Sequence, residues 1–265
     1  MLSALYTSAT GMKAQEKLID NTANNLANVN TSGFKRSRVD FADLVYTNLR
    51  APGTAVSTGQ VSPTGLQIGH GVRVVATTKH FTPGNVEQTD NTLDVAIEGD
   101  GFFQVTIPNG EFRYTRAGNF KIDNTGALVN ADGYPLSPPI TVPAGIDMTR
   151  ITIGPDGTVQ GSASNSDQQP QQLGQIQIAT FLNPSGLSSE GSNLYSTTVA
   201  SGNAQLNTPG TQGFGILRSG ALELSNVEIV QELIALISAQ RAYEFNSRAI
   251  RAGDEMLSTS VDVMR

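Results

Sequence analysis

The spacing of apolar residues predicts a long helix at the beginning of the chain. Intervals of three and four residues alternate, with Glu16 filling the one gap, through Leu2, Leu5, Ala9, Met12, Ile19, Ala23 and Leu26. This is the seam of a helix that packs in heptads against another helix. We expect the helix to cover residues 2–29 and to end before Gly33, because glycine readily takes the left-handed conformation at a C-terminal cap.

The last part of the chain carries the same helical pattern. Ser225 and Glu228 have the spacing of an N-terminal capping box, in which each side chain bonds the backbone N–H of the other residue. Beyond them, intervals of four and three alternate through Ile229, Leu233, Leu236, Gln240, Tyr243, Ser247, Ile250, Asp254, Leu257 and Val261. Because polar residues share this seam, we expect a helix over 226–264 whose contact surface is mixed rather than purely apolar.

The middle of the chain alternates with a period of two. Between about residues 93 and 220, short apolar runs are separated by turn sequences such as Pro108-Asn109-Gly110 and Pro155-Asp156-Gly157. This pattern predicts an antiparallel β domain made of hairpins. We interpret the polar stretch 161–172 as a surface loop. Residues 47–71, rich in Pro, Gly, Thr and Val with few charges, are interpreted as an extended arm rather than a core element.

Glycine and proline divide the chain in the same way. Residues 1–32 and 221–265 contain no proline and one glycine each, Gly11 and Gly253, and both residue types weaken helices. Close approach of two helices is the reason we expect for these two glycines. The fold class we predict is multi-domain, α plus mainly-β. Its parts are a helical core domain from 1–32 plus 225–265, an extended linking arm over 33–80, and an outer mainly-β domain over 81–224.

The composition excludes several classes of function. There is no cysteine, hence no disulfide and no thiolate metal site, and the two histidines are too few for a multi-histidine metal site. A net charge of −6 and a pI near 4.9 argue against a nucleic-acid partner, which needs a basic face. No apolar run reaches the roughly 18 residues of a membrane span. The first residues also lack the pattern of a cleavable secretory signal.

The sequence contains no convincing active site. The motifs G-x-S-x-G, H-E-x-x-H and the P-loop are absent. Asp94, Glu98 and Asp100 resemble a possible glycosidase carboxylate pair. However, these carboxylates precede or occupy the Gly-x-Gly turn of Gly99 and Gly101. This position favours structural roles for them. We therefore predict no catalytic residue, no cofactor and no metal.

Polar residues near the end of the first helix leave two interpretations open. Asn21, Asn25 and Asn28 share one helix face, with Asn24 beside them. These amides either hydrogen-bond neighbouring chains or form a merely polar face. The basic residues that follow, Lys35, Arg36 and Arg38, are better explained by helix-end charge complementation or a solvated loop than by a specific binding role.

The two helices bury too little apolar surface to be stable by themselves. Five large apolar residues on the first seam contribute on the order of 10 kcal/mol when fully buried. Ordering the backbone costs roughly 1–2 kcal/mol for each residue. Apolar residues also lie outside the seams, so partners from other chains are the expected source of the missing burial.

Four segments together resemble one known family. They are 23–35 (ANNLANVNTSGFK), 94–103 (DVAIEGDGFF), 114–120 (YTRAGNF) and 240–247 (QRAYEFNS). In this order and spacing they are similar to the bacterial flagellar basal-body rod proteins, within the wider group of rod and hook subunits. The similarity covers nearly the whole chain. It is greatest to the distal-rod branch, because residues 46–74, which contain 66–73 (LQIGHGVR), look like the segment that distinguishes distal rod from hook. Part of this segment is shifted in length and composition.

The resemblance implies a structural subunit of the distal rod rather than an enzyme. Such subunits polymerise into a hollow, rigid, helical drive shaft that spans the periplasm, transmits torque to the hook and carries the export channel. The terminal helices would pair as a coiled coil in the inner layer, and the β domain would face outward. Implied partners are further copies of the chain, other rod subunits, the hook protein, the peptidoglycan and outer-membrane rings that act as a bushing, and the flagellar type III export machinery.

The resemblance also implies roles for individual residues. The seam residues that would hold the inner layer are Leu5, Met12, Ile19, Leu26, Leu233, Leu236, Tyr243, Ile250 and Leu257. Residues that would make lateral polar contacts between subunits are Asn21, Asn24, Asn25, Asn28, Arg241, Arg248 and Arg251. In the arm, the residues that would oppose bending of the shaft are Tyr46, Pro52, Pro63, Leu66 and Ile68.

Other functions fit the sequence less well. A proximal rod or hook-type axial subunit is the nearest alternative. A secreted β-rich adhesin that binds glycans, or a carbohydrate-active enzyme using an Asp/Glu pair, is compatible with the composition. Neither has an evident use for two long terminal helices with matched seams, and formation of an ordered tubular polymer distinguishes the axial subunit from both.

Overall fold

The structure, a computed structural model, describes residues 2–53, 55–57, 60–61, 63–143, 146–163 and 170–263. The chain forms two compact units. We call the first the helical unit; it comprises Met1–Ala27, Ser37–Thr78 and Glu228–Arg265. We call the second the β unit; it comprises Asn28–Arg36 and Lys79–Val227.

The two predicted helices are present, with shorter bounds than expected. Helix α1 covers Leu2–Ala27 and helix α2 covers Ile229–Val263. The predicted start of the second helix at 226 is too early. The side chain of Asn226 is engaged within the β unit, where its Oδ1 accepts a hydrogen bond from the Arg36 N–H at 2.7 Å and its Nδ2 donates to the His80 carbonyl at 2.9 Å.

Helices α1 and α2 pack against each other in antiparallel orientation. Leu5 lies beside Gly253, Gly11 beside Asn246, and Asn25 beside Glu232, so one helix ascends as the other descends. A Cβ atom on Gly11 would lie 2.9 Å from Asn246 Nδ2, and one on Gly253 would lie 2.7 Å from Leu5 Cδ2. Both distances are too short for an ordinary contact. The expectation that these glycines mark close helix approach is confirmed.

The rest of the helical unit is made of short strands. Their bounds are β1 Ser37–Asp43, β2 Tyr46–Arg50, β3 Ala55–Ser57, β4 Gln60–Val61, β5 Leu66–Gly69 and β6 Val72–Lys79. β1 pairs with β6, β2 with β5 and β3 with β4. The predicted arm is therefore extended, but within the described residues it consists of paired antiparallel strands rather than a single free segment.

The β unit contains the remaining strands and one short 3-10 helix, Pro184–Gly186. The first strands are β7 Val86–Gln88, β8 Val95–Glu98, β9 Phe102–Thr106, β10 Phe112–Thr115, β11 Lys121–Ile122, β12 Leu128–Val129 and β13 Ile146–Ile153. They are followed by β14 Thr158–Ala163, β15 Gln171–Gln175, β16 Ile178–Thr180, β17 Ser188–Gly191, β18 Leu194–Ser196, β19 Gln205–Asn207, β20 Ile216–Ser219 and β21 Ala221–Glu223.

Antiparallel pairing organises these strands, as the period of two predicts. The largest sheet has the order β17-β18-β10-β9-β16-β19, and a second sheet has the order β13-β14-β15. The predicted turns at Gly110, Gly126, Gly133 and Gly157 have φ between 80° and 85°, which glycine adopts without steric cost. The predicted loop 161–172 is partly wrong, because its ends belong to β14 and β15; residues 164–169 lie outside the described part of the chain.

Two apolar clusters form the core of the β unit. The larger one centres on aliphatic and aromatic residues such as Ile97, Phe103 and Phe120, all fully buried. The smaller one is aromatic, and its rings meet edge to face: Tyr114 and Phe181 have centroids 4.8 Å apart. This is the geometry that aromatic quadrupoles favour. Asp94, at the end of the first cluster, accepts hydrogen bonds from Thr89 and Asn91, which confirms its structural role.

Three charged side chains are buried together inside the β unit. Glu223 Oε1 lies 2.6 Å from Lys35 Nζ, and Glu223 Oε2 lies 2.8 Å from Arg116 Nε. All three side chains are almost completely excluded from solvent. Lys35 follows α1 and Glu223 ends β21 just before α2, so the two segments that lead to the helices are joined through one carboxylate. We call these three residues the charge cluster.

The charge cluster carries two cations and one anion, and backbone carbonyls solvate the excess positive charge. Arg116 Nη1 donates to the carbonyl oxygens of Gly99 and Gly101 at 2.9 and 2.7 Å, and Lys35 Nζ donates to that of Thr82 at 2.7 Å. The Gly84 N–H donates to Glu223 Oε1 at 2.9 Å. The Gly-x-Gly turn therefore has a structural role, as expected, since it presents carbonyls to a buried guanidinium.

Burial and charge act in opposite directions on the pKa of Glu223. Burial by itself raises the pKa of this carboxyl, but the charges and hydrogen bonds of Arg116 and Lys35 outweigh it and hold the pKa below its ordinary value. Burial lowers the pKa of Lys35, Glu223 opposes that effect, and the charge of Arg116 reinforces it. The expectation that Lys35 is a solvated helix-end residue is wrong, because its ammonium group is an internal partner of Glu223.

We predict that Glu223→Gln destabilises the β unit by about 3–5 kcal/mol, because it leaves two buried cations without their carboxylate. Urea unfolding followed by tyrosine fluorescence measures this, since the chain has no tryptophan and Tyr114 and Tyr195 are buried in this unit. The matched control is Glu98→Gln. It breaks the exposed ion pair with Arg218 at 3.0 Å and should cost no more than about 1 kcal/mol. Equal losses in the two variants would contradict an essential charge cluster.

The same carboxyl predicts a pH dependence. Because folding lowers the pKa of Glu223, its contribution is fully present above the unfolded pKa of about 4.3 and disappears as the pH falls through the folded pKa. The free energy of unfolding of the wild type should therefore approach that of Glu223→Gln as the pH drops below about 4. Urea titrations at a series of pH values test this, and a gap that stays constant to low pH would contradict it.

Candidate assembly surfaces

Small and polar residues form the contact between the two helices. On α2, Glu232, Asn246 and Gly253 contact α1, and the buried Ala239 and half-buried Ser260 continue the same spacing of seven residues. On α1 the fully buried side chains are Ala14, Thr22 and Asn25. Small side chains let two helix backbones approach closely, and the approach at Gly11 and Gly253 agrees with this.

The seam predicted for α2 is rotated away from the observed contact. Successive residues of a helix are rotated by 100° about its axis. The predicted positions are rotated, on average, by about the angle of one residue from the positions that face α1. Leu233 is 41% exposed and Tyr243 is also exposed, whereas Leu236, Ile250 and Leu257 are half-buried at the edge of the contact. Hydropathy located the apolar flank of the helix instead of its contact face, because the contact residues are not strongly apolar.

The seam predicted for α1 lies closer to the observed contact. Leu5, Met12, Ile19 and Leu26 are all half-buried, and Leu5 touches the position of Gly253. None of these four large apolar side chains is completely covered by the chain itself. Each therefore retains apolar surface for another molecule, so their assignment to a subunit interface stays a prediction.

Two of the helix asparagines make contacts within the chain. Asn25 is 1% exposed; its Nδ2 donates to the Ser37 carbonyl at 2.8 Å and to Glu232 Oε2 at 3.3 Å, and its Oδ1 accepts from the Ser37 N–H at 3.0 Å. Asn21 Nδ2 donates to the same carbonyl at 2.7 Å. Their amides fix the start of β1 to α1, and the expected lateral contact with other chains stays a prediction for both residues.

The other residues expected in lateral contacts lie nearer the surface. Asn24 is exposed, and Asn28 Oδ1 accepts a hydrogen bond from Thr31 Oγ1 at 3.2 Å. Arg241 pairs with Glu244 on its own helix at 3.0 Å, and both side chains are exposed. The remaining arginines expected there are also exposed, at Arg248 and Arg251.

An apolar stripe runs along the face of α2 opposite α1. Val230, Ile234 and Ile237 follow the spacing i, i+4, i+7, and the three side chains are 63%, 63% and 55% exposed. Phe245 continues the exposed apolar surface further along the helix. We call Val230, Ile234 and Ile237 the outer stripe. Exposed contiguous apolar surface of this kind marks an interaction site.

The arm strands expose apolar residues as well. Tyr46, Leu66 and Ile68 are exposed on the paired strands β2 and β5, together with Leu49. Pro52 and Pro63, which flank the second strand pair, are also exposed. The structure thus brings three of the predicted arm residues, Tyr46, Leu66 and Ile68, onto one pair of neighbouring strands, and Pro52 and Pro63 lie outside it. A short, two-stranded element with so little of its surface buried is marginally stable by itself.

Among the described residues, no three or more histidine, aspartate or glutamate side chains come together in a way that could hold a metal ion. No described helix combines the length and the apolar character that crossing a bilayer requires. The helical unit carries a set of exposed apolar surfaces on α2 and on the arm strands.

Comparison with known proteins identifies the family. Residues 5–35 match the model described as flagella basal body rod protein, residues 96–161 match the flagellar hook protein FlgE/F/G D1 domain, and residues 218–263 match the flagellar basal body rod FlgEFG protein C-terminal region. A flagellar basal-body rod protein FlgG of Borreliella burgdorferi is 45% identical over 265 residues, which cover all of both chains. The chain belongs to the flagellar basal-body rod protein family. The resemblance noted in the sequence is confirmed.

Other members of the rod protein family agree. FlgG of Caulobacter vibrioides is 45% identical over 260 residues, or 98% of each chain, and FlgG of Bacillus subtilis is 41% identical over 270 residues, or all of each chain. The flagellar hook-basal body complex protein FlhP of Bacillus subtilis is 34% identical over 269 residues. None of these descriptions names a reaction, and the higher identities are to proteins named FlgG.

We predict that Asn25→Ala destabilises the helical unit by about 1–2 kcal/mol. It removes the partner of the Ser37 N–H and one of the two amides that donate to the Ser37 carbonyl, which costs about 1–3 kcal/mol, and the better helix propensity of alanine returns roughly 0.5 kcal/mol. Circular dichroism at 222 nm during urea unfolding reports on α1 and α2. The neighbouring variant Asn24→Ala is the control and should change stability by no more than about 0.5 kcal/mol. Equal losses in the free energy of unfolding for the two variants would contradict a stabilising role of the buried Asn25 amide.

Proposed function

We propose that this chain is a structural subunit of the flagellar distal rod and that it polymerises with copies of itself into a hollow helical shaft. The observation that carries the proposal is the outer stripe, whose large apolar side chains remain exposed on the face of α2 turned away from α1. Full-length similarity to proteins named as basal-body rod proteins supports the same assignment.

The helical unit is the part that we assign to the inner layer of the shaft. Its internal contact uses small and polar residues, so its large apolar residues remain available on both flanks. Burying a side chain such as Leu or Ile contributes about 1.5–3 kcal/mol. The outer stripe and the half-buried residues Leu5, Met12, Ile19 and Leu26 therefore favour assembly, with the terminal helices paired as a coiled-coil layer around the export channel.

The other two parts of the chain take outer and linking roles in this proposal. The mainly-β domain over 81–224 has a closed core of its own and would form the outer surface. The arm over 33–80, with Tyr46, Leu66 and Ile68 exposed, would contact neighbouring subunits and oppose bending of the shaft. Exposed apolar side chains on a marginal strand pair support this role, since contact with a second subunit covers them.

The family suggests the surroundings of the shaft. The chain would lie in the basal body, cross the periplasm as part of the rod, and arrive there through the flagellar type III export machinery. Its partners would be the other rod subunits, the hook protein, and the peptidoglycan and outer-membrane ring proteins that form the bushing. No catalytic role is proposed for any residue.

The double variant Ile234→Asp, Ile237→Asp tests the proposal. Placing charges where apolar contacts form should reduce the amount of sedimentable polymer by more than about tenfold, since each 1.4 kcal/mol changes an equilibrium tenfold. The control is Ser238→Asp, Gln240→Asp, which adds the same charge at two exposed positions of α2 that are not part of the outer stripe. Tyrosine fluorescence during urea unfolding verifies that the β unit remains folded in both.

Electron microscopy of the pellet completes the test. We expect ordered tubes from the wild type and from the control variant. We expect no ordered tubes from the stripe variant. A wild type that remains monomeric at every concentration tested would contradict the proposed function. Normal tubes from the stripe variant would contradict the role of the outer stripe.

A further inference from the structure

The β unit carries an apolar projection outside its core. Leu182 and Val199 are essentially fully exposed, although both are large aliphatic residues. They lie on neighbouring loops, because Asn183 Nδ2 donates a hydrogen bond to the Ala200 carbonyl at 3.1 Å. We call Leu182 and Val199 the knob.

Hydrogen bonds hold the loops of the knob in one conformation. Thr198 Oγ1 donates to the Gly186 carbonyl at 2.6 Å and accepts from the Ala200 N–H at 3.1 Å. Ser201, completely buried, accepts from the Thr198 N–H at 2.9 Å through its hydroxyl. A Cβ on Gly186 would lie 2.8 Å from the Ala200 backbone. Since the loops are already ordered, burying the knob costs little conformational entropy.

The helical unit carries an apolar groove that would accept such a projection. The groove lies between α1 and β6, has a volume of about 480 Å³, and is floored by Ala14, Leu44, Val72 and Val74. At one end of the groove, Gly71 has φ of 105°, and its missing side chain lets the entry to β6 lie directly against Thr10.

Charge at the two surfaces is complementary. Lys13, Lys17 and Arg73 line the groove together with one acid, Glu16; Lys17 also pairs with Asp20 at 3.2 Å. Beside the knob, Asp100 lines the same cleft as Leu182 and is exposed; Arg116, which also lines this cleft, is buried and paired with Glu223. A projection of two aliphatic side chains flanked by a carboxylate thus matches an apolar groove with a basic rim.

We propose that the knob of one copy of this chain inserts into the groove of another copy. The inference rests on the proposed function, and it names one contact of the polymer. Knob and groove are different surfaces of the same chain, so their contact is heterologous. A heterologous contact that does not close into a ring generates an open helical polymer, which is the symmetry that a shaft requires.

Cysteine cross-linking between two full-length variants tests the contact, because the natural chain has no cysteine. Leu182→Cys is mixed with a tagged Val74→Cys chain under polymerising conditions and treated with a short bismaleimide. The expected product is a cross-linked pair of one tagged and one untagged chain. Val75→Cys is the matched control: it is exposed on the same strand but does not line the groove. Its yield should be lower by at least about tenfold.

A second arm separates this contact from the proposed function. The double variant Leu182→Asp, Val199→Asp should lose at least about tenfold in sedimentable polymer, because its carboxylates would be buried in the apolar groove. Two outcomes overturn the knob contact and leave the proposed function intact. One is wild-type polymer together with equal cross-linking at Val74 and Val75, and the other is full polymerisation of the aspartate variant. A wild type that forms no polymer overturns both.

Discussion

The single carboxylate of Glu223 is the constraint on which the β unit depends. It neutralises one charge of a buried lysine and arginine pair, and it joins the segment that follows α1 to the strand that precedes α2. A buried ion pair contributes little net stability compared with apolar residues of the same shape, but removing one partner is costly. The cluster therefore acts less as a source of stability than as a requirement for one arrangement. Lys35, Arg116 and Glu223 are buried together, so the fold accommodates each of them only with its partners.

The helical unit follows a different principle. Its internal contact is made by residues such as Gly11, Asn25 and Gly253, which bring the helices close without burying much apolar surface. The larger side chains of the outer stripe are left facing away from α1. A monomer built this way is incomplete by the usual criterion of apolar burial. Polymerisation is the simplest way to complete it, and this agrees with membership of a family of rod proteins.

Sequence periodicity predicted the element types well and the contact surfaces less well. Helices, hairpin turns and the structural role of Gly99 and Gly101 follow from local rules of spacing and backbone conformation. The rotation of the α2 seam does not, because a contact made by Glu232, Ala239 and Gly253 has no hydropathy signal. The three partners of the charge cluster are also invisible to periodicity. Arg116 and Lys35 stood within segments that resemble the family, but nothing local indicated that they are buried together with Glu223.

The sequence by itself determined that two breaker-free helical ends flank a hairpin-rich middle, and it placed the chain in its family. These properties depend on the preferences of residues close together in the chain, such as the left-handed glycines of the turns. Only the tertiary structure decided which face of α2 meets α1, which asparagines are used internally, and that a lysine after the first helix is fully buried. Those outcomes depend on pairs such as Asn25 with Glu232 or Lys35 with Glu223. Their separation along the chain is close to 200 residues, so only folding brings them within hydrogen-bond distance.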